Sequence, residues 1–350
     1  MSIGVLVVDD SALIRSLLSE IINQQKDMHV VGVAKDAYIA KEMVNSLSPD
    51  VITLDIEMPK VNGLTFLDKL MKARPTPVLM ISTLTEQGAE ATLRALELGA
   101  IDYIAKPKLG VSEGISIYQQ EIVDKIRLVF QAKVFKSRVN SIARKNNQFD
   151  SFLKQKIIAI GASTGGCEAI KVIIESLPIT SPPVVITQHM PAGFTASFAQ
   201  RLNNVCNVAV KEAQDGEVLV QGTVYIAPGN KHLLIVAKNE EYRVKLDEGE
   251  PVSGHKPSVD VMFSSLAQAA GKQVAATILT GMGKDGAKGL LALRQSGAYT
   301  VAQSESSCVI YGMPKEAVKI SAAIEQTDLD LIAQRLLERT AKPLINKNTH

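Results

Sequence analysis

Cysteine is scarce in this chain. Its three cysteines, Cys167, Cys206 and Cys308, are far apart and odd in number. They provide neither a disulfide framework nor metal-ligand spacing, and they fit a reducing compartment. No apolar run approaches the roughly 18 residues of a membrane span. The short apolar stretch at the N-terminus has no basic segment ahead of it and ends in Asp9 and Asp10, unlike a signal peptide. The expectation is a soluble cytoplasmic protein without membrane insertion. A strong charge imbalance is also missing: a net charge of +2 over 350 residues implies no nucleic-acid partner. Aromatic residues make up only 4%, little to wall a deep pocket for an apolar small molecule, whereas the 46% apolar content is ample for real cores. The length suggests two or three domains.

What is present begins with alternation. Residues 3–8, 29–33, 51–54, 77–81 and 102–105 read as buried strands. Helical patterns lie between them, the first capped by Ser11, running to about Gln24, with Leu13, Ile14, Leu17, Leu18 and Ile21 on its inner stripe. A further helical pattern over 115–130 carries Ile115, Tyr118, Ile122, Ile126, Val129 and Phe130. Such alternation predicts a parallel sheet with helices on both faces.

Ligands in such sheets bind beyond the carboxyl ends of the strands. Asp9, Asp10, Asp55, Ser82 and Lys106 all fall there. Carboxylates gathered at one place repel unless a cation joins them, and hard oxygen donors suit Mg²⁺. A lysine and a hydroxyl nearby suit the oxygens of a phosphoryl group carried by a carboxylate. The alternative for each carboxylate alone is a solvated loop end.

Asp9-Asp10, Asp55-Ile56-Glu57-Met58-Pro59, Asn62-Gly63-Leu64, Ser82 and Lys106-Pro107 together closely resemble the receiver domain of two-component response regulators. The resemblance implies a flavodoxin-like sheet of order 2-1-3-4-5. It implies that Asp55 accepts a phosphoryl group from a histidine kinase, and that Asp10, Asp55 and the Glu57 carbonyl ligate Mg²⁺ with help from Asp9. Ser82 and Lys106 are then the switch hydroxyl and the phosphate's lysine partner, and the Lys106–Pro107 bond is cis. Asn62 departs from the Asp often found in the family, a change that a turn tolerates.

A basic, polar stretch over 133–155 reads as a linker, with an interaction segment as the alternative. The boundaries adopted are 1–130 for the first domain, 131–154 for the linker and 155–345 for the second domain. The second domain is again α/β. Strands are expected at 157–160, 183–187, 274–279 and 299–302, with a β-hairpin or crossed pair formed by 223–226 and 232–236 around Pro228-Gly229-Asn230. A strand over 242–246, a helix over 258–270 with Val259, Met262, Phe263 and Leu266 inward, and a helical tail over 328–340 complete it.

Three of its loops carry one reactive residue each: Ser163, His189 and Asp285. A serine hydroxyl is a poor nucleophile until an imidazole takes its proton, and the imidazole needs a carboxylate to orient it. Gly281-Met282-Gly283 offers pliable backbone for oxyanion donors. The bland alternatives are a helix-capping Ser163, a hydrogen-bonded loop His189 and an N-capping Asp285. His232 and His255 are rival bases; the strand-end position favours His189. A phosphate cradle at Gly161–Gly166 lacks the spacing and the lysine of a P-loop.

Gly161-Ala162-Ser163-Thr164-Gly165-Gly166, Gln188-His189-Met190-Pro191, Pro257 to Phe263, Leu279 to Gly286 and Tyr311-Gly312-Met313-Pro314 resemble the catalytic domain of CheB-type protein-glutamate methylesterases. The resemblance implies a doubly wound α/β esterase domain with a Ser163–His189–Asp285 triad and the Met282 N–H as an oxyanion donor, with no metal for the esterase. It implies hydrolysis of glutamate methyl esters and deamidation of glutamines on methyl-accepting chemoreceptors, with a chemotaxis histidine kinase as phosphodonor. In such a fusion the receiver would cover the cleft until Asp55 is phosphorylated. Two rivals differ in class: a phosphorylation-switched docking module without hydrolysis, and a hydrolase for another ester or amide.

Overall fold

The computed structural model describes residues 2–82, 85–106, 112–134, 152–153 and 155–341, with backbone alone at 86 and 112–117. Pro107 of the expected cis bond and most of the basic 133–155 stretch lie outside the described residues. The chain divides into two units, Met1–Val139 and Asn140–His350.

In the first unit the elements run β1 (Ile3–Val8), α1 (Ala12–Asn23), β2 (Met28–Ala34), α2 (Ala37–Leu47), β3 (Val51–Asp55), α3 (Gly63–Ala73), β4 (Val78–Ser82), α4 (Glu86–Glu97), β5 (Asp102–Ala105) and α5 (Ser112–Gln131). Every residue of β1, β3 and β4 is buried, as strands covered on both faces require. Helices start where a short polar side chain accepts a free backbone N–H: Ser11 from Ile14, Asp36 from Tyr38 and Ile39, Asn62 from Thr65. The sheet order is β2-β1-β3-β4-β5, with all pairs parallel. One side chain expected on an inner stripe faces solvent instead: Leu13, 58% exposed. In α1 the buried stripe is Ile14, Leu18, Ile21 and Ile22, which a helical period carries past Leu13.

The second unit runs β6 (Ile157–Ala162), α6 (Gly166–Glu175), β7 (Val184–Gln188), α7 (Phe194–Val205), β8 (Ala209–Glu212), β9 (Thr223–Ile226), β10 (His232–Lys238), β11 (Glu241–Asp247), α8 (Val259–Ala269), β12 (Val274–Ile278), α9 (Ala287–Gln295), β13 (Tyr299–Gln303), α10 (Met313–Lys319), β14 (Glu325–Thr327) and α11 (Leu329–Thr340). Seven of these strands form one parallel sheet, β14-β13-β12-β6-β7-β9-β8, while β10 and β11 form a separate antiparallel ribbon. The expected pairing of 223–226 with 232–236 is therefore corrected. β9 lies parallel to β7, and the hairpin joins β10 to β11. The tight turn is Asn239-Glu240, both at positive φ, the geometry that two-residue hairpins favour. Pro228-Gly229-Asn230 only carries the chain from sheet to ribbon.

α8 packs Val259, Met262, Phe263 and Leu266, all fully buried, into the core with Ile157, Val274 and Leu290. Truncating the largest of them, Phe263→Ala, is expected to destabilise this unit by about 3–5 kcal/mol. Urea unfolding measures it, and a loss under about 1 kcal/mol would show that the ring is not a core element.

Candidate active site

Three neighbouring strands bring the second unit's reactive residues together. β6 lies between β12 and β7, and the chain leaves β6 toward β7 but later returns to its other side through β12. That reversal opens the crevice in which doubly wound sheets bind ligands. Ser163 follows β6 directly, His189 follows β7 directly, and Asp285 lies seven residues past the end of β12. Backbone bonds stitch the three arms: Ser163 N–H donates to the Thr280 carbonyl (3.1 Å) and His189 N–H to the Ala162 carbonyl (3.1 Å).

Ser163 does not cap the following helix. Gly165, at φ +76°, occupies the cap without a side-chain bond, and the Ser163 Oγ lies 3.2 Å from His189 Nδ1. His189 Nε2 lies 2.8 Å from Asp285 Oδ2. An ionised carboxylate only accepts, so Nε2 carries the ring proton and Nδ1 is left to accept from the serine hydroxyl.

Asp285 is buried and takes three further donors, from Ser258 Oγ (2.7 Å), Val259 N–H (2.7 Å) and Asp260 N–H (3.1 Å). It does act as a helix cap, but for α8 rather than for the helix that follows it. Burial alone would raise its pKa; the His189, Ser258 and Val259 donors outweigh that and hold the carboxyl below its usual range.

Gly281 is pinned between Met313 and Ser163: a Cβ there would stand 2.5 Å from the Met313 sulfur and 2.6 Å from the Ser163 Cβ. Met282 next to it is half exposed, and among the described residues no acceptor takes its N–H. Of the rival bases, His232 is spent on structure: Nε2 donates to the Glu250 carbonyl and Nδ1 accepts the Ser258 N–H. His255 stacks on His189, with ring centroids 3.7 Å apart.

In the first unit, Asp9, Asp10 and Asp55 bring carboxylate oxygens within 4.8 Å of one another. Lys106 Nζ stands 3.2 Å from Asp9 Oδ2 and 2.9 Å from Asp55 Oδ2, yet neither oxygen has a partner in hydrogen-bonding geometry. Two buried, under-satisfied carboxylate oxygens beside a third carboxylate fit a hard cation such as Mg²⁺. Burial, then the Asp9 charge, lifts the Asp55 carboxyl to about 6 against the pull of Lys106. Conversely, Asp55 and Asp9 outweigh the burial of Lys106 and keep its ammonium charged beyond the ordinary range. Asp10, Asp55, Glu57 and Ser82 line one cavity of about 580 Å³. The Ser82 hydroxyl lies 2.6 Å from that of Thr92 on α4.

Residues 158–336 match the family model of the CheB methylesterase, and residues 5–111 match that of the response regulator receiver domain. A protein-glutamate methylesterase/protein-glutamine glutaminase from Pseudomonas aeruginosa is 54% identical over 342 residues, covering 98% of both chains. The chain belongs to the CheB methylesterase family. A CheB-family relative from Salmonella typhi, with the same double activity in its name, is 49% identical over 337 residues, 96% of this chain and 97% of its own. The crystal structure of the Thermotoga maritima CheB methylesterase catalytic domain aligns with a TM-score of 0.52 at 40% identity, covering 53% of this chain and 99% of that one. No helix among the described residues is long and apolar enough to cross a membrane.

Sequence reasoning missed three residues of this CheB-family framework. The sequence marks Ser258 only as a helix start and, like Gln188, as part of a motif, and it gives Thr92 no role. Gln188 Nε2 donates to the Ser163 carbonyl (2.9 Å), bracing the backbone at Ser163. Nothing in one sequence marks such long-range braces.

Burial gives the Asp55 carboxyl a pH-dependent effect on stability. Its folded value, about 6, lies above the ordinary 3.8. Between those values the folded state holds a proton that the unfolded state has lost, so this group's contribution to stability falls as pH rises. Above about 6 the ionised carboxylate is a net cost on the order of 1–3 kcal/mol. In EDTA, Asp55→Asn is expected to stabilise the first unit at pH 8 by that order, the gain fading by pH 4. Thermal melts of both proteins at the two pH values measure it; a variant less stable than wild type at pH 8 would mean that the Lys106 pair outweighs burial.

Proposed function

We propose that this chain hydrolyses methyl esters of glutamate side chains, and deamidates glutamine side chains, on methyl-accepting chemoreceptors in bacterial chemotaxis. Ser163 is the nucleophile, His189 the general base and acid, Asp285 the orienter. A chemotaxis histidine kinase supplies the phosphoryl group that controls the enzyme at Asp55. The observation that carries the reading is the unbroken relay from Ser163 Oγ through His189 Nδ1 and Nε2 to Asp285, at 3.2 and 2.8 Å.

Ionised Asp285 holds the Nε2–H tautomer, leaving Nδ1 basic toward Ser163. Ser163 Oγ attacks the ester carbonyl as its proton passes to Nδ1. The tetrahedral oxyanion accepts from the Met282 N–H, next in the chain to Gly281, which packs against Ser163. Collapse returns the proton to the leaving oxygen and releases methanol. Water then attacks the acyl-enzyme, giving its proton to His189, and glutamate is freed. A glutamine amide follows the same course with ammonia as leaving group. Both departing groups are small, so one site serves both substrates.

In the first unit the carboxylate of Asp55 is the phosphoryl acceptor. Asp9, Asp10, Asp55 and the Glu57 carbonyl are the residues that would hold Mg²⁺, whose charge offsets that of phosphoryl oxygens when it is bound. Lys106 pairs with the modified Asp55, and Ser82 turns from Thr92 to bond a phosphoryl oxygen.

Methanol release from methylated receptor membranes tests the chemistry. Ser163→Ala and Asp285→Asn are each expected to lower turnover by about 10⁴-fold, the second because the amide stabilises the wrong imidazole tautomer. Wild-type turnover in Ser163→Ala would sink the reading. The control at Asp55 is tested separately. A small-molecule phosphodonor should raise wild-type turnover and leave Asp55→Asn unchanged; an equal response in both would place the regulatory site elsewhere.

A further inference from the structure

His255 has no part in the relay, yet its ring lies on that of His189 with centroids 3.7 Å apart and planes 13° from parallel. We infer that His255 is a positioning residue for hydrolysis: its flat face holds the His189 imidazole in the plane that joins Ser163 to Asp285. The inference rests on the hydrolytic reading above.

The chain around His255 is built to be stiff. Val252 and His255 exchange two backbone hydrogen bonds, each 3.0 Å. The residues between them, Ser253 and Gly254, both have positive φ, the turn that closes a two-residue loop most tightly. Lys256 Nζ then donates to the carbonyls of Glu248 (3.3 Å) and Gly249 (3.2 Å). Three residues past His255, Ser258 donates its hydroxyl to Asp285 and its N–H to His232 Nδ1. One short segment thus grips the base by its face and the carboxylate by its edge.

The relay bonds restrain only the two ring nitrogens of His189. Small tilts of the ring change the two N···O distances little while turning the Nδ1 lone pair away from the serine proton. A parallel ring against the face opposes that tilt and keeps water off that side. Proton transfer is sensitive to such misalignment.

The experiment compares His255→Ala and His255→Phe with wild type in the full chain, by methanol release from methylated receptor membranes. Ser163→Ala runs alongside, and unfolding midpoints are measured for each. His255→Ala is expected to lose about 10-fold or more in kcat with KM within about 2-fold. His255→Phe restores the flat face without a ring nitrogen and is expected to recover kcat to within about 3-fold of wild type. Wild-type kcat in His255→Ala, equal losses in both variants at wild-type midpoints, or a loss confined to KM would each overturn the inference. If His255→Ala does not fold, His255→Phe decides alone: a folded variant with a loss of 10-fold or more overturns the inference. An inert Ser163→Ala beside a normal His255→Ala rejects this inference only; an active Ser163→Ala rejects the hydrolytic reading beneath it.

Discussion

The second unit turns on one buried charge. Asp285 is 1% exposed and accepts from an imidazole, a hydroxyl and two backbone amides. A lone carboxylate in such a place would be expensive, and burial by itself would favour the neutral acid. The His189 imidazole, and then donors at the amino end of α8, reverse that preference, where the aligned amides of a helix welcome negative charge. The carboxylate therefore joins the β12 loop to α8 and α8 to the loop after β7. Remove the charge and the imidazole loses its tautomer, while Ser258 and two amides lose an acceptor. Chemistry and fold share these bonds.

Asp55 in the first unit has the opposite environment. It is as deeply buried as Asp285, but its neighbours include a second buried carboxylate, Asp9, and its cation Lys106 is shared between the two. Its proton is held to about 6, while Asp285 is driven below the ordinary range. The same side chain thus stands as a settled ion in one unit and an unsettled one in the other. In the proposed function, Asp285 is an orienter, which must stay charged through a cycle, and Asp55 is a phosphoryl acceptor, which works from a site that a new charge can rearrange.

Much of this was legible in the chain itself. Buried parallel strands are continuous apolar runs, so Ile3–Val8, Val51–Asp55 and Ile157–Ala162 announce themselves, and their polar terminators mark the rim. The preference for His189 over His232 and His255 followed from its strand-end position and from the family resemblance. Less visible were the elements whose signal is weak or non-local. β8, with only Val210 buried among its four residues, was not anticipated. β9 was paired with the wrong strand because Pro228-Gly229-Asn230 has turn chemistry, while the true hairpin turn uses Asn239-Glu240, with a glutamate where glycine is usual. Leu13 is apolar yet faces solvent, a fact of tertiary packing that periodicity blurs. The bond from Ser258 to Asp285 spans 27 residues and has no local mark.

The short arms of the relay bear on how such a chain can vary. Serine and histidine stand one residue beyond their strands, and His189 N–H is tied to the carbonyl of Ala162, the last residue of β6. An added residue in either arm would carry its side chain out of register with its neighbour. Length differences among descendants of this architecture are therefore expected to collect far from that rim, with the exposed β10–β11 ribbon end as the natural outlet, while the rim itself keeps a constant residue count.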